Sequence, residues 1–339
     1  MKRRWFKGLL IFSALAALTA VSSPAMAVQF SYLDPGYTQE IYTGSIPTGW
    51  GPGYTWKGGN LVLRGGNTLY EYSAAPAATV NGTAVHTATS HVISSGLAAG
   101  YGMTTGLDGF AYANTSNGVA KIDLNTWTAT TYAGSAGGYY GIGTLPDGRI
   151  VHSDTNNIWV LNPTTGTDTK IYTAGSFIDG ITVSPTGEIF LADLGSTRIR
   201  VISSTGTLIN NVAVSHGPDG MAFGAGAAFA SNTDGTITRL NFAGAGYTGA
   251  VTESIFASGG TYGDLASVGP DGSFYVSQWG TIHWDNGTSS GGNAIVKISA
   301  IGGGGFNPPP GTSVPEPGTL LLLGSGLLGL GYYKRKIKG

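Results

Sequence analysis

Along the middle of this chain, short apolar runs alternate with polar residues, and each run stops at Gly, Pro, Asp or Asn, as in "DGITVSPTGEIFLAD" from Asp179. A two-residue period broken by turn formers predicts short β-strands joined by tight turns. The pattern recurs: "YGIGTLPDGRIVHSD" starts at Tyr140, "PDGMAFGAGAAFASN" at Pro218, "DLASVGPDGSFYVSQ" at Asp264 and "YGMTTGLDGFAYAN" at Tyr101. The anchors Tyr101, Tyr140, Asp179, Asp219 and Asp264 are 39, 39, 40 and 45 residues apart. A four-stranded propeller blade repeats every ~40 to 45 residues.

Each copy parses into a short inner strand, a turn with Gly, a second strand, and a third such as "IWVLN", "RIRVIS", "TITRLNF" or "AIVKIS". The fourth strand is the informative one. "HVISSG", "TTYAG", "KIYTAG" and "SIFASG" resemble one another, "NVAVSH" fills the remaining interval, and "EIYTG" at residues 40–44 lies ahead of any blade of its own. The last copy runs into a Gly/Pro-rich stretch after its third strand, so this early segment can supply its missing fourth. With the degenerate copy "GGNLVLRGGNTLYEYS" at residues 58–73, the expectation is an all-β, six-bladed β-propeller over residues 28–300, closed by an N-terminal outer strand. A β-sandwich with regular turns is the competing architecture, and the matching outer strands favour the ring.

The chain ends read differently. Lys2, Arg3, Arg4 and Lys7 precede an apolar run from Leu9 to Val21, and Ala25 and Ala27 form a small-x-small site, which predicts a signal helix cut by signal peptidase after residue 27. Residues 301–313 are rich in Gly and Pro and read as a linker. Beyond it, residues 314–339 hold a short hydrophobic helix interrupted by glycines, marginal as a membrane span, and then Lys334, Arg335, Lys336 and Lys338. Such cations stay on the cytoplasmic side, which leaves the main domain outside.

Charged residues are only 10% of the 339, the formal net charge is -1 and Cys is absent. No field of either sign gathers phosphates, so nucleic acid is excluded as a partner. Thiolate metal sites, disulfides and a cysteine nucleophile are excluded as well. The five histidines show no zinc-protease spacing, and there is no GxSxG elbow or phosphate-cradling loop.

Pro315, Glu316 and Pro317 followed by the Leu/Gly helix and basic tail resemble the PEP-CTERM sorting signal of Gram-negative bacteria. The resemblance implies an exosortase-like sorting protease as partner, transient membrane contact through the C-terminal helix, and a final place in the envelope, at the surface or outside the cell. The copy at residues 179–206 is similar to NHL-type blades, and the whole string to gluconolactonase-like propellers.

Blades present the residue just before the innermost strand at one mouth of the channel. The aligned residues are Gly51, Tyr101, Tyr140, Asp179, Asp219 and Asp264. Three consecutive carboxylates suit a hard divalent cation such as Ca²⁺. The same residues equally suit turns, where Asp accepts backbone N–H bonds. The gluconolactonase resemblance implies a metal at this mouth, with Asp219 in a matching "PDGM" as base, yet "GWGPGYTW" around Gly51 lacks the family's first-blade acid. Asp147-Gly148 and Asp271-Gly272 read as hairpin turns. A last-blade insertion over residues 278–293 carries Trp279, His283, Trp284 and Asp285, suited either to stacking on a sugar or to capping the sheet. The functional expectation is an exported binding or matrix-associated module for polysaccharide or protein, with a metal-dependent lactonase as the alternative.

Overall fold

A computed structural model describes residues 29–306 apart from 47–50, 96 and 304. Six four-stranded antiparallel units follow one another around a central channel. Blade 1 uses Tyr54–Lys57, Asn60–Gly65, Thr68–Tyr72 and Ala88–Val92 from inside to outside, and blade 4 uses Ile178–Val183, Ile189–Asp193, Arg198–Ile202 and Leu208–Ala213. The innermost strands of blades 2, 3, 5 and 6 are Met103–Thr105, Ile142–Thr144, Pro218–Gly224 and Tyr262–Val268. The second strands, such as Ala111–Thr115, Ile189–Asp193 and Ala227–Asn232, are buried throughout, because both their faces meet neighbouring sheets.

The ring closes as its sequence predicts. Tyr37–Thr43 pairs antiparallel with Ser289–Ala300, which places Ile41 opposite Val296 and Thr43 opposite Ile295. A second latch was not legible: Tyr32–Leu33 adds a fifth strand outside blade 5, pairing Leu33 with Ala257. The N-terminal segment therefore spans two blades. Gln29 and Phe30, just past the expected cleavage point, are fully buried. The Gln29 amide donates to the Thr281 carbonyl at 2.9 Å, and its oxygen accepts from the His283 N–H.

The propeller also runs past its expected boundary at residue 300. Phe306 is buried among Phe30, Phe229, Phe256 and Phe274, and its N–H donates to the Gly272 carbonyl at 2.8 Å. A glycine-rich turn lets the chain fold back, so the start of the expected linker belongs to the core. Each such buried ring contributes roughly 1.5–3 kcal/mol.

Turn chemistry follows the repeat. Asp147 and Asp271 each accept the N–H two residues on, and Gly148 and Gly272 stand at φ +87° and +72°, where a side chain would be strained. Between blades 1 and 2, the fully buried Arg64 guanidinium donates to the carbonyls of Gly66, Ala98 and Asn114. Burial without a carboxylate partner lowers its pKa to about 10. The signal segment, the sorting tripeptide, the apolar tail and the basic residues lie outside the described residues. No helix among those described is long and apolar enough to cross a membrane.

Candidate functional site

The channel mouth is shaped by a ring of glycines. A Cβ on Gly53 would lie 2.3 Å from the Tyr101 carbonyl oxygen. On Gly102 it would lie 1.6 Å from that of Tyr140, on Gly141 2.7 Å from Asp179, on Gly180 2.5 Å from Asp219, and on Gly220 2.3 Å from Asp264. Each blade thus presses a bare backbone against the mouth residue of the next. The ring also corrects the alignment by one position in blade 1, where Pro52, rather than Gly51, is equivalent to Tyr101. Neither residue is acidic. Blade 6 departs from the rule with Leu265, at the seam where the first and last blades meet.

This neck draws Asp179, Asp219 and Asp264 together, with side chains almost entirely buried. Asp219 lies close enough to both of the others to feel their charges. Its Oδ2 accepts from the Tyr262 hydroxyl at 3.2 Å. Burial first, and then the charges of Asp179 and Asp264, push its pKa from 3.8 up to about 10. Asp179 is likewise raised by burial and then by Asp264. Asp264 is raised by burial and pulled back by the N–H groups of Gly51, at 2.8 Å from Oδ2, and Leu265, at 2.7 Å from Oδ1. Trp279 adds a further hydrogen bond to it.

Oδ1 of Asp179 and Oδ1 of Asp219 are buried, and no N–H or hydroxyl group of another residue type reaches them. Buried carboxyls that feel one another's charge favour their protonated forms, which is the direction in which all three pKa values move. The trio is therefore a carboxyl cluster held partly neutral by its own protons.

The opposite side of the mouth is aromatic. Tyr101 and Tyr140 stack with centroids 5.5 Å apart, and Phe177 meets Tyr140 edge-on at 5.3 Å. Past the glycine neck, a channel cavity of about 70 Å³ is lined by Thr104, Thr105, Thr144, Thr182 and Ser267 among others. That is room for about two waters.

Does this set fit a divalent cation? A hard cation asks for six to eight oxygens. Asp179 and Asp219 each offer one uncommitted oxygen, whereas both oxygens of Asp264 already accept N–H bonds. A Cβ on Gly51 would lie 2.2 Å from the Asp264 carboxyl carbon, so backbone fills the space a first-blade acid would need. Among the described residues, no group of three acidic or histidine side chains has the spacing to hold a metal ion. The residues fit two positions of a coordination shell and no closed cage.

The other singled-out residues scatter. Trp279 reaches the mouth as described. His283, Trp284 and Asp285 lie about the tip of a long hairpin, Phe274–His283 with Ser289–Ala300, that continues the blade 6 sheet. Trp284 is buried against Ile41, Val85 and Ile282, and its indole N–H donates to the Ser290 hydroxyl at 2.9 Å. For this tryptophan, the capping reading fits. His152 and His216 are tied to Asp168 and Asp234 within their own blades. Tyr262 stands outside the anchor pattern, whereas the glycine neck is visible in it as Tyr-Gly, Tyr-Gly, Asp-Gly, Asp-Gly at successive anchors, a signal not used above.

Fold and terminus together define the class: a six-bladed propeller resembling gluconolactonase structures, carrying a PEP-CTERM protein-sorting motif that matches residues 313–336. The motif implies export, membrane anchoring before processing, and an exosortase as processing partner. Among solved structures, the chain is similar to virginiamycin B lyase from Staphylococcus aureus, at 16% identity and a TM-score of 0.54, over 78% of this chain and 100% of that one. It is similar to the calcium-binding protein regucalcin from Agrobacterium tumefaciens at 15% and 0.56, over 80% and 97%. A protein assigned as a gluconolactonase matches at 14% and 0.56, over 81% and 96%. Identities this low carry the fold alone. No curated protein matches the chain.

Proposed function

We propose that this chain is an exported propeller directed to the envelope, surface or extracellular matrix, where it works as a binding module for polysaccharide or protein. One observation carries the reading. Both oxygens of Asp264 already accept backbone N–H bonds, and blade 1 brings no acid to the mouth, where Gly51 and Pro52 stand. What remains is a rigid scaffold with a sorting address. Cosedimentation of the exported chain with envelope polysaccharide tests it. Binding that Asp219→Asn leaves intact is the expected result, and hydrolysis of lactones lost in that variant would overturn it.

A second reading is favoured by the two uncommitted oxygens, Oδ1 of Asp179 and Oδ1 of Asp219. In it a divalent cation is held by Asp179 and Asp219, with Asp264 beside them, in a lactonase or related hydrolase. A bound cation would supply polarisation of a carbonyl. Asp219, as base, would have to shed the proton that burial and its neighbours hold on it. Melting curves in calcium and in chelator discriminate the two readings.

A further inference from the structure

Blade 1 differs from the others in its outer connection. Between Thr68–Tyr72 and Ala88–Val92 it inserts a hairpin, Ala78–Val80 paired with Thr83–Val85, turning on Asn81 and Gly82 at φ +48° and +86°. An Asn-Gly pair with both residues at positive φ is the favoured two-residue hairpin turn. The hairpin leans on the extended tip of blade 6. Val85 packs with Ile41, Ile282 and Trp284, and the Thr83 hydroxyl accepts from the Asp285 N–H at 3.2 Å. Gly44 permits the contact, since a Cβ there would lie 2.2 Å from the Trp284 ring.

Between this hairpin and the flank of blade 1 lies a cavity of about 500 Å³, within the ~300–1,000 Å³ range of small-molecule sites. Its walls include Tyr70, Val80, Val85 and Trp284, and among the described residues no lining side chain is a carboxylate, lysine or arginine. The hydroxyls of Ser45, Tyr70, Thr87 and Ser90 border it and make no hydrogen bond among the described residues. His86 completes the set. Its ring stacks on Tyr42 at 3.6 Å and its Nδ1 lies 2.5 Å from the Ser73 carbonyl, an acceptor, so Nδ1 carries the proton. Burial pushes the His86 pKa down, which keeps the ring neutral and Nε2 an acceptor.

An apolar, aromatic wall bordered by uncommitted neutral donors and acceptors matches a ligand with apolar C–H faces and many hydroxyls. Ionic ligands find no counter-charge in the lining. We propose that this cavity is a binding site for a neutral saccharide unit, built by the blade 1 insertion and lying apart from the channel mouth. The inference rests on the binding-module reading and names where the sugar sits.

Saturation-transfer NMR tests it on the full chain, expressed with its own export signal and extracted in mild detergent. The probes are maltotriose, cellotriose and chitotriose, with trigalacturonate as the charged control. Transfer to at least one neutral trisaccharide is expected, with affinity reduced roughly tenfold or more in Ser90→Trp, which fills the cavity from an exposed position. Asp219→Asn should bind as the parent does, and an unchanged melting curve for Ser90→Trp shows that the fold survives. No transfer from any neutral probe, equal binding in Ser90→Trp, or preference for the charged probe would overturn the assignment. If Ser90→Trp still cosediments with whole polysaccharide as the parent does, the module reading stands and this site falls. If neither protein cosediments, both fall.

Discussion

The channel mouth and the cavity beside blade 1 are both concave and both rich in polar atoms, yet they spend those atoms in opposite ways. At the mouth, Asp219 accepts from Tyr262 and Asp264 accepts from the backbone of Gly51 and Leu265, while burial and neighbouring charge favour the protonated form of Asp219. Beside blade 1, four hydroxyls make no hydrogen bond among the described residues. The mouth is made by the repeat, whose glycine neck compresses whatever stands at the anchor positions. The cavity is made by an insertion, which the repeat does not constrain.

The largest effect that would sharpen this contrast lies in the neck. Gly102→Ala places a methyl within 1.6 Å of the Tyr140 carbonyl oxygen, and backbone on both sides leaves little to yield. Urea unfolding should show a loss of about 4 kcal/mol or more, or no folded protein. A mild loss would mean that the blades are not pressed together and that the carboxyls are free to separate. Phe306→Ala comes next. It removes a ring packed on four other phenylalanines and should cost about 3–5 kcal/mol. A neutral result would return residues 301–306 to the linker.

A smaller effect reads the protons directly. Asp219 has a folded pKa of about 10 against an ordinary 3.8, so the folded chain binds more protons than the unfolded one between those values. Stability from this group is fullest below about pH 4 and declines as pH rises toward 10. Asp219→Asn, which has no proton to lose, should flatten that decline and melt higher than the parent at alkaline pH. Parallel curves would place the protons elsewhere. The smallest expected effect is on the stability of Ser90→Trp, which should change by no more than about 0.5 kcal/mol while sugar binding is lost.

Much of the fold was legible because repeats carry redundant information. The outer strands resemble one another closely enough that "EIYTG" could be placed beside Ser289–Ala300 without coordinates. Tyr32–Leu33 was not legible, since two residues have no period. Phe306 was hidden behind glycines that normally mark a linker. The inserted hairpin did announce itself in "TVNGTAV", an Asn-Gly turn between alternating residues, but in a segment that fits no repeat. The three aspartates were found by register, whereas their raised pKa values depend on distances that register does not contain.

The claim on which the rest depends is that the mouth carboxyls are satisfied by their own protons and backbone donors. It is tested most directly by melting the exported chain at neutral pH in calcium and in chelator, beside Asp219→Asn. Superimposable curves for the parent protein in the two solutions are the predicted result. A calcium-dependent rise in melting temperature that Asp219→Asn abolishes would contradict the claim and return the mouth to metal chemistry.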